Sequence, residues 1–398
     1  MKILQLSPQV PLPLDSGGKI GIYGITKHLA ERGNDIYFAA YKKEADRLAS
    51  VKELGKFCKP FIIDVNTNNN LFGATLNLFS NIPYNIAKFK KRELVKFLRS
   101  FLKENKIDIV HIDHLHLAWA IDIIKDKVDI PVILREHNIE MKIMQRFYEQ
   151  QKNFILKQYS GLQYKKFLKY EPSLAEKFDK CIMVSKQDER ILRDLNQKVK
   201  TATIGVGVDR KILNLQKTRT IPYSIFHLGS LEWLPNFDGL NWYLEEIFPS
   251  IVSYRKEVKL YLYGVGTDKI KVPSSFRDNI IKIGYVKDLW KEILDKQLAI
   301  VPLRIGSGIR VKIIEMLGIG QNIISTSVGK EGIDVEDGRH ILIADSTEDF
   351  ISKTISYFNN EYDSGLMSSN AKKLIEEKYT WEKIAEQFEN EYYSLIKK

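Results

Sequence analysis

An α/β protein of two doubly wound, parallel-sheet domains in tandem is predicted by three observations. The chain has 398 residues, more than a single hydrophobic core comfortably organises. Apolar runs of strand length alternate with helical periodicities along most of the sequence. The same alternation starts afresh after a polar stretch at Asp209–Pro222, which reads as a linker. The expected domains are 1–212 and 213–378, with a terminal helix over 379–398.

Lys2–Leu6 is the first apolar run, and Pro11, Pro13, Gly17 and Gly18 make the residues after it a loop. Ile22, Ile25 and Leu29 then recur at helical spacing, Gly33 closes that helix at its C′ position, and Ile36–Ala40 is the next strand. Strands follow at Phe61–Val65, Ile107–Ile112, Val132–Leu134, Cys181–Val184 and Thr201–Ile204, giving a Rossmann-like first domain. Ser224–Leu228, Val258–Tyr263, Ile280–Ile283, Leu298–Leu303, Asn322–Ser325 and His340–Ile343 repeat the pattern in the second. Trp381, Ile384, Ala385, Phe388, Tyr392 and Leu395 mark a closing helix, expected to pack back on the first domain. Two such domains facing one another would set a cleft at the carboxyl ends of both sheets, where open α/β sheets bind ligands.

Composition narrows the function. With 44% hydrophobic and 28% charged residues the chain reads as an ordinary globular protein. It has no apolar run of eighteen residues and no signal-peptide pattern at its start, so a cytoplasmic location is expected. Cys58 and Cys181, the only cysteines, read as buried thiols. The net charge of +11 favours phosphate-bearing ligands, an anionic membrane face or nucleic acid. Nucleic acid is the weakest of these, because no zinc-finger spacing, RNA-binding aromatic motif or basic arm accompanies the charge.

The sharpest local signal is Val301-Pro-Leu-Arg304-Ile-Gly306-Ser307-Gly308-Ile309-Arg310-Val-Lys312-Ile-Ile-Glu315. A strand, a Gly-rich turn and a helix with a basic start form an anion cradle. Glycines let backbone N–H groups approach a phosphate at a helix N-terminus, and Arg310 and Lys312 add charge-assisted hydrogen bonds. Gly308, Lys312 and Glu315, four and three residues apart, are expected on one helical face, with the carboxylate placed to accept both hydroxyls of a ribose. The plainer alternative is a capped core helix whose Lys and Glu make a surface pair.

In this order, Ser16-Gly17-Gly18, Arg135-Glu136-His137-Asn138-Ile139-Glu140, Val184-Ser185, Gly205-Val206-Gly207-Val208-Asp209, Gly229-Ser230-Leu231 with Trp233-Pro235-Asn236, Gly284-Tyr285-Val286 and the Gly306–Glu315 cradle resemble glycosyltransferase family 4. The resemblance spans nearly the whole chain. It implies the GT-B fold, a nucleotide-sugar donor and retention of anomeric configuration by front-side attack, with no enzyme nucleophile and no metal or other cofactor. It further implies that Glu315 binds the donor ribose, and that the cradle amides with Arg310 and Lys312 bind the diphosphate. Gly229, Tyr285, Val286, Gly306, Ser307, Gly308 and Ile309 complete the donor side, while Gly17 and Gly18 close on the diphosphate from the first domain. Many members carry a second Glu eight positions before the ribose Glu; this chain has Ser307 there.

At the carboxyl end of the 107–112 strand, Asp113 and His114 are candidates to orient sugar hydroxyls, whereas His111 and His116 read as structural. Glu136 and His137, after the 132–134 strand, are expected in the same cleft, with Asn138 as a helix cap. No Asp-x-Asp occurs, and the histidines show no metal-ligand spacing. The basic helix within 88–103 carries Leu94, Phe97, Leu98, Phe101 and Leu102 on one face, which either packs on its own sheet or docks on anionic lipid. The expected function is transfer of a hexose-type unit from a nucleotide sugar to a glycan or lipid-linked acceptor in cell-surface polysaccharide synthesis. The alternatives are a nucleotide-binding but non-catalytic partner subunit of the same fold, or another GT-B enzyme such as a nucleotide-sugar epimerase.

Overall fold

A computed structural model describes all residues except 15, 43–47, 152, 218, 307 and 398, and all their side chains except those of residues 48 and 150. The chain forms two compact units, one of 1–206 together with 381–398 and one of 207–380. The described residues include no helix long and apolar enough to cross a membrane.

The first unit is built on seven strands, β1 (Lys2–Ser7), β2 (Asp35–Lys42), β3 (Lys59–Asp64), β4 (Ile109–Asp113), β5 (Val132–Glu136), β6 (Lys180–Met183) and β7 (Thr201–Thr203). They are all parallel, in the order β3-β2-β1-β4-β5-β6-β7. Strand order therefore reverses between β1 and β4, and open α/β sheets bind their ligands beyond the carboxyl ends at such a point. β4 and β5 are buried along their whole length, as the near-continuous apolar runs require.

The Gly17–Glu31 helix buries Ile22, Ile25 and Leu29 on this sheet. It ends at Gly33, whose φ of 88° only glycine adopts without strain. Gly33 N–H donates to Ala30 O and Asn34 N–H to Leu29 O, closing the last turn in a Schellman motif. Gly17 and Gly18, expected in a loop, instead form the first turn of this helix and have ordinary helical backbone.

The Trp381–Ile396 helix packs back on the Gly17–Glu31 helix, as expected from its apolar spacing. Trp381 lies so close to Gly24 that a Cβ there would stand 2.3 Å from the indole. Glu389 accepts from Arg32 Nε at 2.6 Å. The Arg92–Glu104 helix turns Leu94, Leu98, Phe101 and Leu102 into the core, and Phe97 packs on Phe61. That face is occupied by the protein's own sheet and is closed to a bilayer.

The second unit has β8 (Ile221–Leu228), β9 (Lys259–Tyr263), β10 (Ile280–Gly284), β11 (Lys296–Val301), β12 (Asn322–Ser325) and β13 (Leu342–Ile343), parallel in the order β10-β9-β8-β11-β12-β13. Pro222, expected in the linker, lies within the exposed start of β8, ahead of the Ser224 register with β9. Here the switch falls between β8 and β11. Gly264, Gly266, Gly284, Gly306 and Gly308 all have positive φ in the loops leaving β9, β10 and β11, so the carboxyl edge turns on glycine.

Candidate functional site

Each unit gathers polar side chains at its own switch point. In the first, pleating sends Gln5, His111, Asp113 and Arg135 to the face covered by the Gly17–Glu31 and Trp381–Ile396 helices. Asp113 is fully buried; its Oδ2 accepts from Gln5 Nε2 at 2.7 Å, and Gln5 Oε1 accepts from Thr26 at 2.9 Å. Its Oδ1 faces Arg135 Nη1 at 3.4 Å, His137 Nε2 at 3.3 Å and His111 Nε2 at 3.5 Å. Burial works to raise this carboxyl, but His111, the His137 hydrogen bond and Arg135 outweigh it and hold it well below the usual carboxylate range.

His111 is structural, as expected: its Nδ1 lies 2.6 Å from the Tyr392 hydroxyl of the terminal helix. His114 adopts φ 67°, rare for a side chain of its size, and donates its N–H to Arg135 O. That turn lays its ring on His137, centroids 3.8 Å apart. Burial first, then neighbouring positive groups, lowers both imidazoles, His137 to about 4 and His114 well below its ordinary value. Both rings are therefore neutral at pH 7, each with one donor and one acceptor nitrogen. A Cβ on Gly18 would stand 3.6 Å from the His114 ring, which places the helix N-terminus directly over the pair. The structure thus brings together Gly18, Asp113, His114 and His137, beside Arg135.

Glu136 does not join them. It is the neighbour of Arg135 in β5 and points to the opposite face, where it is buried against Glu171 of the Phe154–Ala175 helix. Burial and then the charges of Glu171, Glu140 and Asp188 raise its carboxyl well above the usual range, while burial lifts Glu171 to about 7. Asn138 is not the cap expected of it, because the Glu140–Gln150 helix begins at Glu140 with Ile139 at its N-cap. Its first N–H groups donate instead to Glu171, Glu140 N–H at 2.8 Å and Met141 N–H at 2.7 Å. Glu171 fixes the chain leaving His137, a role no local motif in the sequence announces.

In the second unit the cradle surrounds the N-terminus of the Val311–Gly318 helix. Gly308 precedes that helix with φ 82° rather than lying on its face, and Arg310 is the N-cap residue with no side-chain cap bond. Arg310 is buried, donates to Gly308 O at 2.6 Å and stacks over the half-exposed Trp233 ring at 5.3 Å. Gly306 has φ 130°, which side chains rarely adopt, and a Cβ there would stand 2.4 Å from the end of that guanidinium. Lys312 donates to Leu228 O and to Asn236 Oδ1, tying the helix to the end of β8. Burial, then Arg310, lowers its ammonium to about 7.

Glu315 is partly buried, accepts no hydrogen bond from the described residues and is lifted by burial to about 8. Lys312 and Glu315 therefore form no surface pair, and the capped-core-helix alternative fails on both counts. Gly229 sits against Asn236, whose Nδ2 would be 2.4 Å from an added Cβ. Tyr285 is exposed and Val286 packs on the core. Ile309 packs on the same core, and Ser307 lies outside the described residues.

Three residues of this unit were passed over as site residues. Trp233 and Asn236 stand beside Arg310 and Lys312, and His227 is buried in β8 with neither ring nitrogen hydrogen-bonded among the described residues. Burial, then Lys312, lowers His227 well below its ordinary value. A histidine interrupting the apolar run Ser224–Leu228 was the available signal.

Comparison with known proteins agrees with this division. The family profile described as Glycosyltransferase Family 4 matches residues 16–211, and the one described as Glycosyl transferases group 1 matches 222–360. A Klebsiella pneumoniae protein described as an uncharacterized 44.6 kDa protein in cps region is 23% identical over 401 residues, covering 96% of this chain and 97% of that one. Among solved structures, Anabaena Alr3699/HepE in complex with UDP superposes with a TM-score of 0.69 at 13% identity, covering 99% of this chain and 100% of that one. The lipopolysaccharide outer core galactosyltransferase WaaB gives a TM-score of 0.67 at 14% identity, covering 99% of each chain.

Proposed function

We propose, from the premise that the chain belongs to glycosyltransferase family 4 and has its GT-B fold, that it is a retaining hexosyltransferase using a nucleotide-sugar donor. The observation that carries this reading is the second unit's cradle: an uncapped helix N-terminus, two inward cations and, one turn on, a carboxylate without a partner among the described residues. A nucleoside diphosphate matches that sequence of charges. The N-terminal amides, Arg310 and Lys312 take the diphosphate, and Glu315 accepts the ribose hydroxyls.

In the proposed reaction the bond from the anomeric carbon to the leaving phosphate oxygen breaks as the acceptor hydroxyl attacks from the same face. The acceptor proton passes to that departing oxygen. Preorganised cations and amides stabilise the developing diphosphate charge, so no enzyme nucleophile, metal or organic cofactor enters the scheme. The acceptor is assigned to the first unit, where His114 and His137, set beside the buried Asp113 carboxylate, offer neutral imidazole nitrogens to sugar hydroxyls. A cell-surface glycan or lipid-linked sugar is the proposed acceptor, a choice supported by the cps-region relative and by WaaB.

The test is nucleotide release from a panel of UDP-, GDP-, ADP- and CMP-sugars, comparing wild type with Glu315→Ala. One donor should be slowly hydrolysed, and the substitution should abolish its turnover. Nucleotide binding without turnover, even with acceptor present, would favour a non-catalytic partner subunit.

A further inference from the structure

Two segments of the first unit expose large apolar side chains that its core does not use. Leu71, Phe72, Leu76 and Phe79 are 89%, 76%, 57% and 91% exposed, and Phe154, Ile155 and Leu156 are 73%, 76% and 49% exposed. The segments meet through Asn77, whose side chain accepts from Gln163 and Lys166 of the Phe154–Ala175 helix. Leu156 lies seven residues, about two turns, before Gln163 and so on the same helical face. Leu156 is thereby aligned with the side of the helix that meets Asn77, and Phe154 and Ile155 stand next to it in the first turn of the same helix.

Within the two segments themselves the charge is one-signed. From Val65 to Arg92 there are four Lys and Arg and no Asp or Glu; from Gln150 to Tyr170 there are five and none. Beside the 71–79 segment lies a hollow of about 630 Å³ lined by Asn66, Asn69, Asn70, Tyr84, Lys88 and Lys91. Amide and ammonium donors there suit phosphate oxygens.

We propose that this surface docks on an anionic lipid bilayer, with Phe72, Phe79, Phe154 and Ile155 entering the interface and the lysines meeting phosphate headgroups. Exposed aromatics within a basic surround are the pattern of interfacial anchoring, in which apolar insertion and attraction to anionic lipid act together. A second copy of the chain is a poorer occupant, since two such faces would bring like charges together. The inference is independent of the transferase reading, and it rests on residues other than the buried face of the Arg92–Glu104 helix.

The full-length chain should float with vesicles of phosphatidylcholine containing 30% phosphatidylglycerol at least tenfold better than with pure phosphatidylcholine, and less well in high salt. Phe72→Ser with Phe79→Ser, or Phe154→Ser with Ile155→Ser, should lower that partition tenfold while leaving circular dichroism unchanged. The emission of a Phe79→Trp variant, after subtraction of the wild-type spectrum from the five native tryptophans, should shift to the blue on anionic vesicles, a readout that holds even if a serine variant fails to fold. Equal flotation with both vesicle types, or a Phe79→Trp minus wild-type difference emission that does not shift, would overturn the proposal. So would self-association that the serine substitutions abolish without any vesicle binding.

Discussion

His137 stacks on His114 with ring planes 12° from parallel, and through Nε2 it reaches Asp113 Oδ1 at 3.3 Å. Two imidazoles in face-to-face contact cannot both carry charge cheaply, and burial already disfavours it. The pair is held neutral by its packing, while the carboxylate beside it stays ionised.

That arrangement makes the first unit acid-sensitive. The folded pKa of His137, about 4, lies below its unfolded value, so the unfolded chain binds more protons once pH falls under 6.5. Stability is full above that value and declines as pH drops towards 4, by about 2 kcal/mol at pH 5 from this residue. Hydrogen-exchange protection of β4 amides at pH 5 and pH 7, corrected for intrinsic rates, should show the loss. His137→Gln should remove this residue's share of the loss and leave that of His114.

Arg135 is fully buried, and Asp113 is its carboxylate partner. Asp113→Ala leaves a buried guanidinium without a countercharge and should cost about 3–5 kcal/mol. Adding Arg135→Met to Asp113→Ala should restore much of that stability, measured by urea unfolding, without restoring transfer.

Gly24→Ala tests the seat of the terminal helix. Helix propensity favours Ala by about 1 kcal/mol, but its Cβ would meet the buried Trp381 ring at 2.3 Å. Overpacking costs about 1–3 kcal/mol, so the variant should melt lower than wild type in calorimetry.

The cradle predicts paired proton movements on nucleotide binding. Diphosphate charge should raise Lys312 from about 7, drawing in a proton near pH 7.5, while ribose hydroxyls donating to Glu315 should lower it from about 8 and release one. The two nearly cancel in wild type. Titration calorimetry in buffers of different ionisation enthalpy should show net uptake for Glu315→Gln and net release for Lys312→Met. No net exchange in either variant would refute the assignment.

Much of this was legible in the sequence because periodicity carries it. Apolar runs and helical spacing placed the strands of both sheets close to where they lie, and Gly306 to Glu315 declared the cradle. What was missed depends on side-chain direction and distant partners. Arg135 and Glu136 are consecutive strand residues, so pleating forbids them one shared site, and Glu136 belongs to the far face. Glu171 caps a helix that begins thirty-one residues before it, beyond the reach of any capping motif. Pro13 and two glycines signalled a loop, yet Gly17 and Gly18 carry the opening turn of a helix.

The Trp381–Ile396 helix completes a unit whose other residues precede 207. On the ribosome, residues 1–206 emerge with the slot beside Gly24 empty and His111 lacking Tyr392, and they wait while the intervening unit is made. Maturation of the Asp113 cluster is thus deferred until that unit has been translated. A chain stopped before Trp381 carries every residue of both candidate sites but lacks the helix that covers the sheet beneath the first.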